Sequence, residues 1–112
     1  MKVIEVNAAG RSQNPHGVES KTLYDTEHAT VTYLTLLPGK QLKRHITPVD
    51  VFFYVLEGRG VVEVGDEQME VGPNTLIESP KDIPHCWHNR GDRVLRFLIV
   101  KVPRQTQPTR LL

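Results

Sequence analysis

Glycine and proline cut this chain into short pieces, and that spacing constrains the fold more than any other feature. Turn residues recur at Pro38-Gly39, Gly58-Arg59-Gly60, Gly65-Asp66, Gly72-Pro73-Asn74, Pro80 to Pro84 and Gly91-Asp92. The stretches between them are rich in Val, Ile, Thr, Leu and aromatics, which is the pattern of an all-β sandwich or barrel. No long segment combines a helical apolar period with proper caps. The pattern predicts strands over 2–6, 21–25, 30–37, 41–46, 51–57, 60–64, 67–71, 75–78, 85–89 and 94–101. Residues 7–17 are polar, contain Gly and Pro, and read as a loop. Residues 103–112 carry Pro, Gln, Thr and Arg, and read as a frayed end or an arm that packs on a partner.

A chain of 112 residues is the size of one domain with a single core. The expected domain is 1–112, with its core over about 20–102 and a C-terminal tail over 103–112. The formal net charge of +1 steers the chain toward neither nucleic acid nor an anionic membrane. One cysteine excludes an internal disulfide and fits a reducing cytoplasm. No stretch is long enough for a transmembrane helix, and the apolar start is too short for a signal peptide. A cytoplasmic location is therefore expected.

Two predicted strands, Val51 to Leu56 and Val94 to Val100, are apolar on both faces. One face must line the interior and the other needs cover. A homodimer would supply that cover, and so would the N-terminal strands. The homodimer is the expectation.

His45 and His85 sit in patterned segments. The first runs Pro38-Gly39-Lys-Gln-Leu-Lys-Arg-His45-Ile46-Thr47-Pro48-Val49-Asp50-Val51 and on to Gly58. The second runs Pro80-Lys81-Asp82-Ile83-Pro84-His85-Cys86-Trp87-His88-Asn89. Alternation puts His45 with Thr47, His85 with Trp87, and Val51 with Phe53 and Val55 on common faces. Cys86 and His88 fall on the face opposite His85. His16 and His28, in a polar loop and a turn, are expected at the surface.

The two segments resemble the two motifs of the cupin superfamily, small double-stranded β-helix (jelly-roll) barrels that often hold one metal ion. Gly39, His45 and Gly58 fall at motif positions, but Thr47 stands where a second His belongs and Val51 where a Glu belongs. Asp82 replaces a turn glycine, and Asp tolerates the left-handed geometry such a turn needs. Asn89 is expected to satisfy backbone groups at its turn. The resemblance implies that His45 and His85 are metal-ligand positions. Imidazoles suit Zn, Fe, Ni, Cu and, less well, Mn.

Asp50 is the candidate third ligand, since two histidines and a carboxylate form the facial set of non-heme iron oxygenases. Strand parity points it outward, unless a bulge at Pro48 flips the alternation. The pocket implied by the family runs along Thr47, Val51, Phe53, Val55 and Trp87. Tyr33 and Tyr54 are further hydroxyl candidates, with core packing as the alternative.

No phosphate-cradling glycine loop, nucleophile turn, paired-Cys zinc motif or basic patch is present in the sequence. Two functions follow from the resemblance. One is a barrel that binds a small molecule around His45 and His85, with a reduced or absent metal site. The other is a mononuclear metal-dependent enzyme of dioxygenase, decarboxylase or isomerase type, using His45, His85 and Asp50. The motif specifies a fold and leaves the activity open.

Overall fold

The computed structural model describes residues 1–12, 14 and 16–112; Gln13 and Pro15, within the predicted loop, lie outside the described residues. The strands are β1 (Glu19–Asp25), β2 (Thr30–Leu36), β3 (Gln41–Ile46), β4 (Asp50–Glu57), β5 (Gly60–Val64), β6 (Glu67–Val71), β7 (Leu76–Ser79), β8 (His85–His88), β9 (Leu95–Val102) and β10 (Arg110–Leu111). They form two antiparallel five-stranded sheets, ordered β1-β2-β9-β4-β7 and β10-β3-β8-β5-β6. The chain crosses from one sheet to the other after β3 and again after β4, as a jelly roll does. No helix among the described residues is long and apolar enough to cross a membrane.

Two predicted elements differ. Residues 2–6 form no strand; Ala8 and Ala9 instead donate backbone N–H bonds to Glu5 and Val6 in a short 3-10 turn at Val6–Ala8. The C-terminal tail is an ordered strap on the chain's own barrel. Arg110 and Leu111 pair with Ile46 and His45 of β3, and Arg104 forms an ion pair with Asp25 at 2.9 Å.

The inward-facing rows change character along the barrel axis. On β2 the row runs Thr30, Thr32, Leu34, Leu36, and on β9 it runs Lys101, Ile99, Phe97, Leu95. On β8 it runs His85 and then Trp87. One end is therefore an apolar plug and the other a polar mouth. In the plug, Trp87 stacks on Phe97 with centroids 4.3 Å apart, and Phe53 meets both rings edge-on. Gly60 lies beneath this stack, where a Cβ would come within 2.5 Å of the Leu95 side chain and 3.2 Å of the Trp87 ring. Burial of these side chains supplies most of the driving force for closure.

The turns behave as their residues require. Asp82 adopts φ 64° and Gly39 φ 80°. Asn89, fully buried, donates to the carbonyls of Leu36 and Arg93 and accepts from the Gly91 amide. It ties the β8 exit to two other segments, so its role is structural.

Candidate functional site

The polar mouth opens into a cavity of about 290 Å³. His45, Thr47, Val51, Phe53 and His85 line it, together with His16, Lys101 and the hydroxyls of Ser20, Thr22, Thr30 and Thr32. Local backbone geometry aims these groups. A register shift between Leu42 and His45 places both of those residues inward, although simple alternation would separate them. The chain then bends through Thr47–Val49, and β4 resumes ordinary alternation from Asp50.

Asp50 is consequently not part of the site. Pro48 lies in the bend between sheets, outside any strand, so no bulge flips the parity that follows it. Val51 is buried, while Asp50 is exposed and accepts the Lys81 backbone N–H at 2.9 Å. Val55 and Trp87 also lie away from the cavity. Both face inward, but they lie at the apolar end, fully buried in the plug rather than lining the cavity. Tyr33 and Tyr54 do not line it either.

His16 moves the other way. Asn14 accepts the His16 backbone N–H at 3.0 Å and donates to the Val18 carbonyl and the Ser20 hydroxyl. This arrangement hangs the His16 ring over His45, with centroids 4.4 Å apart. Its Nδ1 is buried and has no hydrogen-bond partner among the described residues. A loop histidine carries no periodicity, so the sequence gives no sign of this placement. Lys101 was also missed. It shares the inward row of Phe97, but β9 is apolar on both sides and hides which side that is.

The histidine pair is a defined relay. His45 Nδ1 lies 2.6 Å from the Lys43 carbonyl, which can only accept, so Nδ1 carries the proton and Nε2 of neutral His45 is an acceptor. His85 Nε2 lies 2.9 Å from His45 Nε2 and must therefore be the donor. His85 Nδ1 then accepts from the Ser79 hydroxyl, 2.6 Å away. The chain runs Ser79 O–H to His85, His85 N–H to His45, and His45 N–H to the Lys43 carbonyl.

This relay requires neutral rings, and the surroundings keep them neutral. Burial lowers the pKa of His85 from 6.5 to about 3, with His45, Lys101 and His16 adding repulsion. Burial likewise lowers His16 to about 4, and it lowers His45 despite the opposing Lys43 bond. Unfolded, these rings would take up a proton near pH 6.5, whereas the folded rings do so only at lower pH, about 4 for His16 and about 3 for His85. Their contribution is thus fully present above about pH 6.5 and is lost as pH falls through the folded values. Stability should fall from pH 6.5 downward by up to about 1.4 kcal/mol per pH unit for each such ring. Urea midpoints at pH 7 and pH 5 check this, and equal midpoints would contradict it.

An ion held by the barrel would have to use these donors. His45 Nε2 and His85 Nε2 converge, and Thr47 Oγ1 lies 3.4 Å from His85 Nε2. The position of a third, anionic ligand is taken by buried Val51, and the Lys101 ammonium faces the same space. Two neutral imidazoles beside a cation fit a divalent ion poorly, since stable sites use three or four protein ligands. Among the described residues, three metal-type donors come together elsewhere: Glu63, Cys86 and His88, on the outer face of the second sheet.

Comparison with known proteins agrees with this architecture. The family model described as the cupin domain matches residues 32–101. An uncharacterised protein of Methanocaldococcus jannaschii is 34% identical over 62 residues, which cover 55% of this chain and 49% of that protein. The chain thus matches only about half the length of that curated relative. A crystal structure of the Thermus thermophilus protein TT1209 superposes with TM-score 0.79 and 28% identity, over 93% of this chain and 99% of that one. The polyketide cyclase RemF from Streptomyces resistomycificus superposes with TM-score 0.86 at 23% identity, over 100% of this chain and 85% of that one, and shows the fold alone. With the motif positions, the two-sheet barrel and the family match in agreement, this chain belongs to the cupin family.

Proposed function

We propose that this cupin binds a small organic anion in the barrel mouth, between the histidines and Lys101. The observation that carries the reading is Lys101. It is half-buried and has no carboxylate within 4.0 Å among the described residues; its Nζ donates only to Gln105 Oε1, at 2.7 Å. The cavity's other charged lining residues, Asp25 and Arg104, pair with each other, so Lys101 is a cation among imidazoles held neutral and hydroxyls; it suits a carboxylate, with Lys101 supplying charge. His16 Nδ1 is an additional polar atom for a ligand to satisfy. The cavity, about 290 Å³, accommodates only a small molecule.

The test is a calorimetric panel of small carboxylic acids against their amides, using chelator-treated protein. Acids should bind and matched amides should not. Equal binding of both, or of neither, contradicts the proposal.

A metal-dependent reading is favoured by one observation. The Nε2 atoms of His45 and His85 lie 2.9 Å apart. Two nitrogens bound at right angles to one ion, at about 2.05 Å each, would be about 2.9 Å apart. His45 already presents its Nε2 lone pair, fixed by the Lys43 carbonyl, whereas His85 would have to move its ring proton from Nε2 to Nδ1, with the Ser79 hydroxyl turning from donor to acceptor. One ion per untagged chain, lost in His45→Ala and His85→Ala, would favour this reading.

We further infer that a second copy covers the outer face of the first sheet. Val31, Tyr33, Phe52, Tyr54, Leu98 and Val100 form one contiguous block through the register pairs Val31–Val100, Tyr33–Leu98, Phe52–Val100 and Tyr54–Leu98. The N-terminal segment does not bury itself there: Val3 is 72% and Ile4 46% exposed. Sedimentation equilibrium should give a dimer that Phe52→Glu converts to monomer. A monomeric wild type would contradict this inference.

A further inference from the structure

We propose that Glu63, Cys86 and His88 form a second site, outside the barrel, for a borderline-soft divalent cation of the Zn(II) type. The strands bring the three donors together by register. Cys86 and His88 alternate on β8 and share its outward face, and Glu63 stands directly opposite Cys86 on β5. The Cys86 sulfur lies 3.5 Å from His88 Nε2, and Glu63 Oε2 lies 3.0 Å from the sulfur and 2.7 Å from that nitrogen. Tetrahedral Zn(II), with bonds of about 2.3 Å to sulfur and 2.05 Å to nitrogen, would separate those two ligands by about 3.5 Å. The sulfur and nitrogen are therefore already at ligand spacing.

The two shorter distances are hydrogen bonds, with Glu63 accepting from the thiol and from His88. Thiolate, imidazole and carboxylate together are a zinc donor set, whereas a carboxylate–histidine pair alone is an ordinary ion pair. The side chains of His88 and Glu63 are 22% and 26% exposed, which leaves solvent access for an entering ion and for a fourth, water ligand.

Binding is a ligand exchange with a simple proton balance. The thiol proton leaves to solvent as the sulfur–metal bond forms. His88 binds through Nε2 with its ring proton on Nδ1, and Glu63 enters as carboxylate. Without metal the thiol is not a reactive nucleophile: burial and Glu63 push its pKa up to about 12. Arg44 and Arg90 lie close enough to bias the local field against a cation, so moderate affinity is expected.

The site is independent of the pocket, and the experiment keeps the two apart. Chelator-treated full chain is titrated with Co(II) and followed by near-ultraviolet absorption. Because Cys86 is the only cysteine in the chain, any thiolate-to-cobalt charge-transfer band reports on this site. The band should saturate at one equivalent, bleach on addition of Zn(II) and persist in the His45→Ala/His85→Ala double variant. Glu63→Gln and His88→Ala should each weaken Co(II) binding tenfold or more. No band in the wild-type protein would overturn the proposal, with no dependence on how any variant folds. A band indifferent to both Glu63→Gln and His88→Ala would overturn it as well.

Discussion

Trp87→Ala is expected to cost about 3–5 kcal/mol, the cost of removing a large aromatic from a core. Typical domains hold about 5–15 kcal/mol in total, so the variant should be barely folded or unfolded. Trp87 is fully buried, and it stacks on Phe97 at 4.3 Å with Phe53 edge-on at 5.4 Å. Gly60 is packed against its face, so the neighbouring backbone already sits in contact and the hole would fill only by moving strands. Trp87→Phe should cost less than half as much. The indole N–H is buried without a partner among the described residues, and phenylalanine removes that unsatisfied donor while keeping most of the stacking area. Urea melts followed by far-ultraviolet circular dichroism compare the three proteins. A Trp87→Ala midpoint near wild type would place the ring outside the plug and contradict a barrel with one apolar end.

Lys101→Gln is expected to weaken binding of the preferred carboxylate by about 10- to 100-fold, with little change in stability. A hydrogen bond to a charged group contributes about 1.5–3 kcal/mol, and each 1.4 kcal/mol is about tenfold in affinity. The effect should be large because, among the described residues, no other unpaired cation lines the cavity. The imidazoles around it are held neutral, and Arg104 at the rim is committed to Asp25. Gln keeps a polar amide and most of the side-chain length, and Lys101 loses no ion pair with a carboxylate, so the fold should tolerate the change. Calorimetry on wild type and variant provides the check, and unchanged affinity would remove Lys101 from the site.

Much of the barrel was legible because its signals are local. Turn glycines, a φ-tolerant Asp82 and alternating runs mark strand ends without any long-range information. His45 and His85 were legible because both sit at motif positions, and parity then assigned Thr47, Val51 and Phe53 to the same cavity. Parity failed where depth mattered. It gives the face of Val55 and Trp87, but not how far along the axis they lie, and these two fell in the plug. It also gave the right side for Asp50, and the bulge that would have reversed it is absent at Pro48 because the chain is already turning there. His16 and the tail were not legible for a different reason. Their positions depend on Asn14 folding a loop and on β10 finding β3, contacts between segments with no periodic pattern of their own. Glu63 joins Cys86 and His88 only through the register of β5 on β8, which the sequence does not display.

The most direct test is a crystal structure of chelator-treated protein soaked with the tightest-binding carboxylate of the panel. The predicted result is ligand density in the mouth, with a carboxylate oxygen in hydrogen-bond contact with Lys101 Nζ and with a histidine nitrogen, and no ion between them. Density in the outer groove lined by Arg59, Arg90 and Arg93, or a metal ion bridging His45 and His85 to the acid, would contradict it.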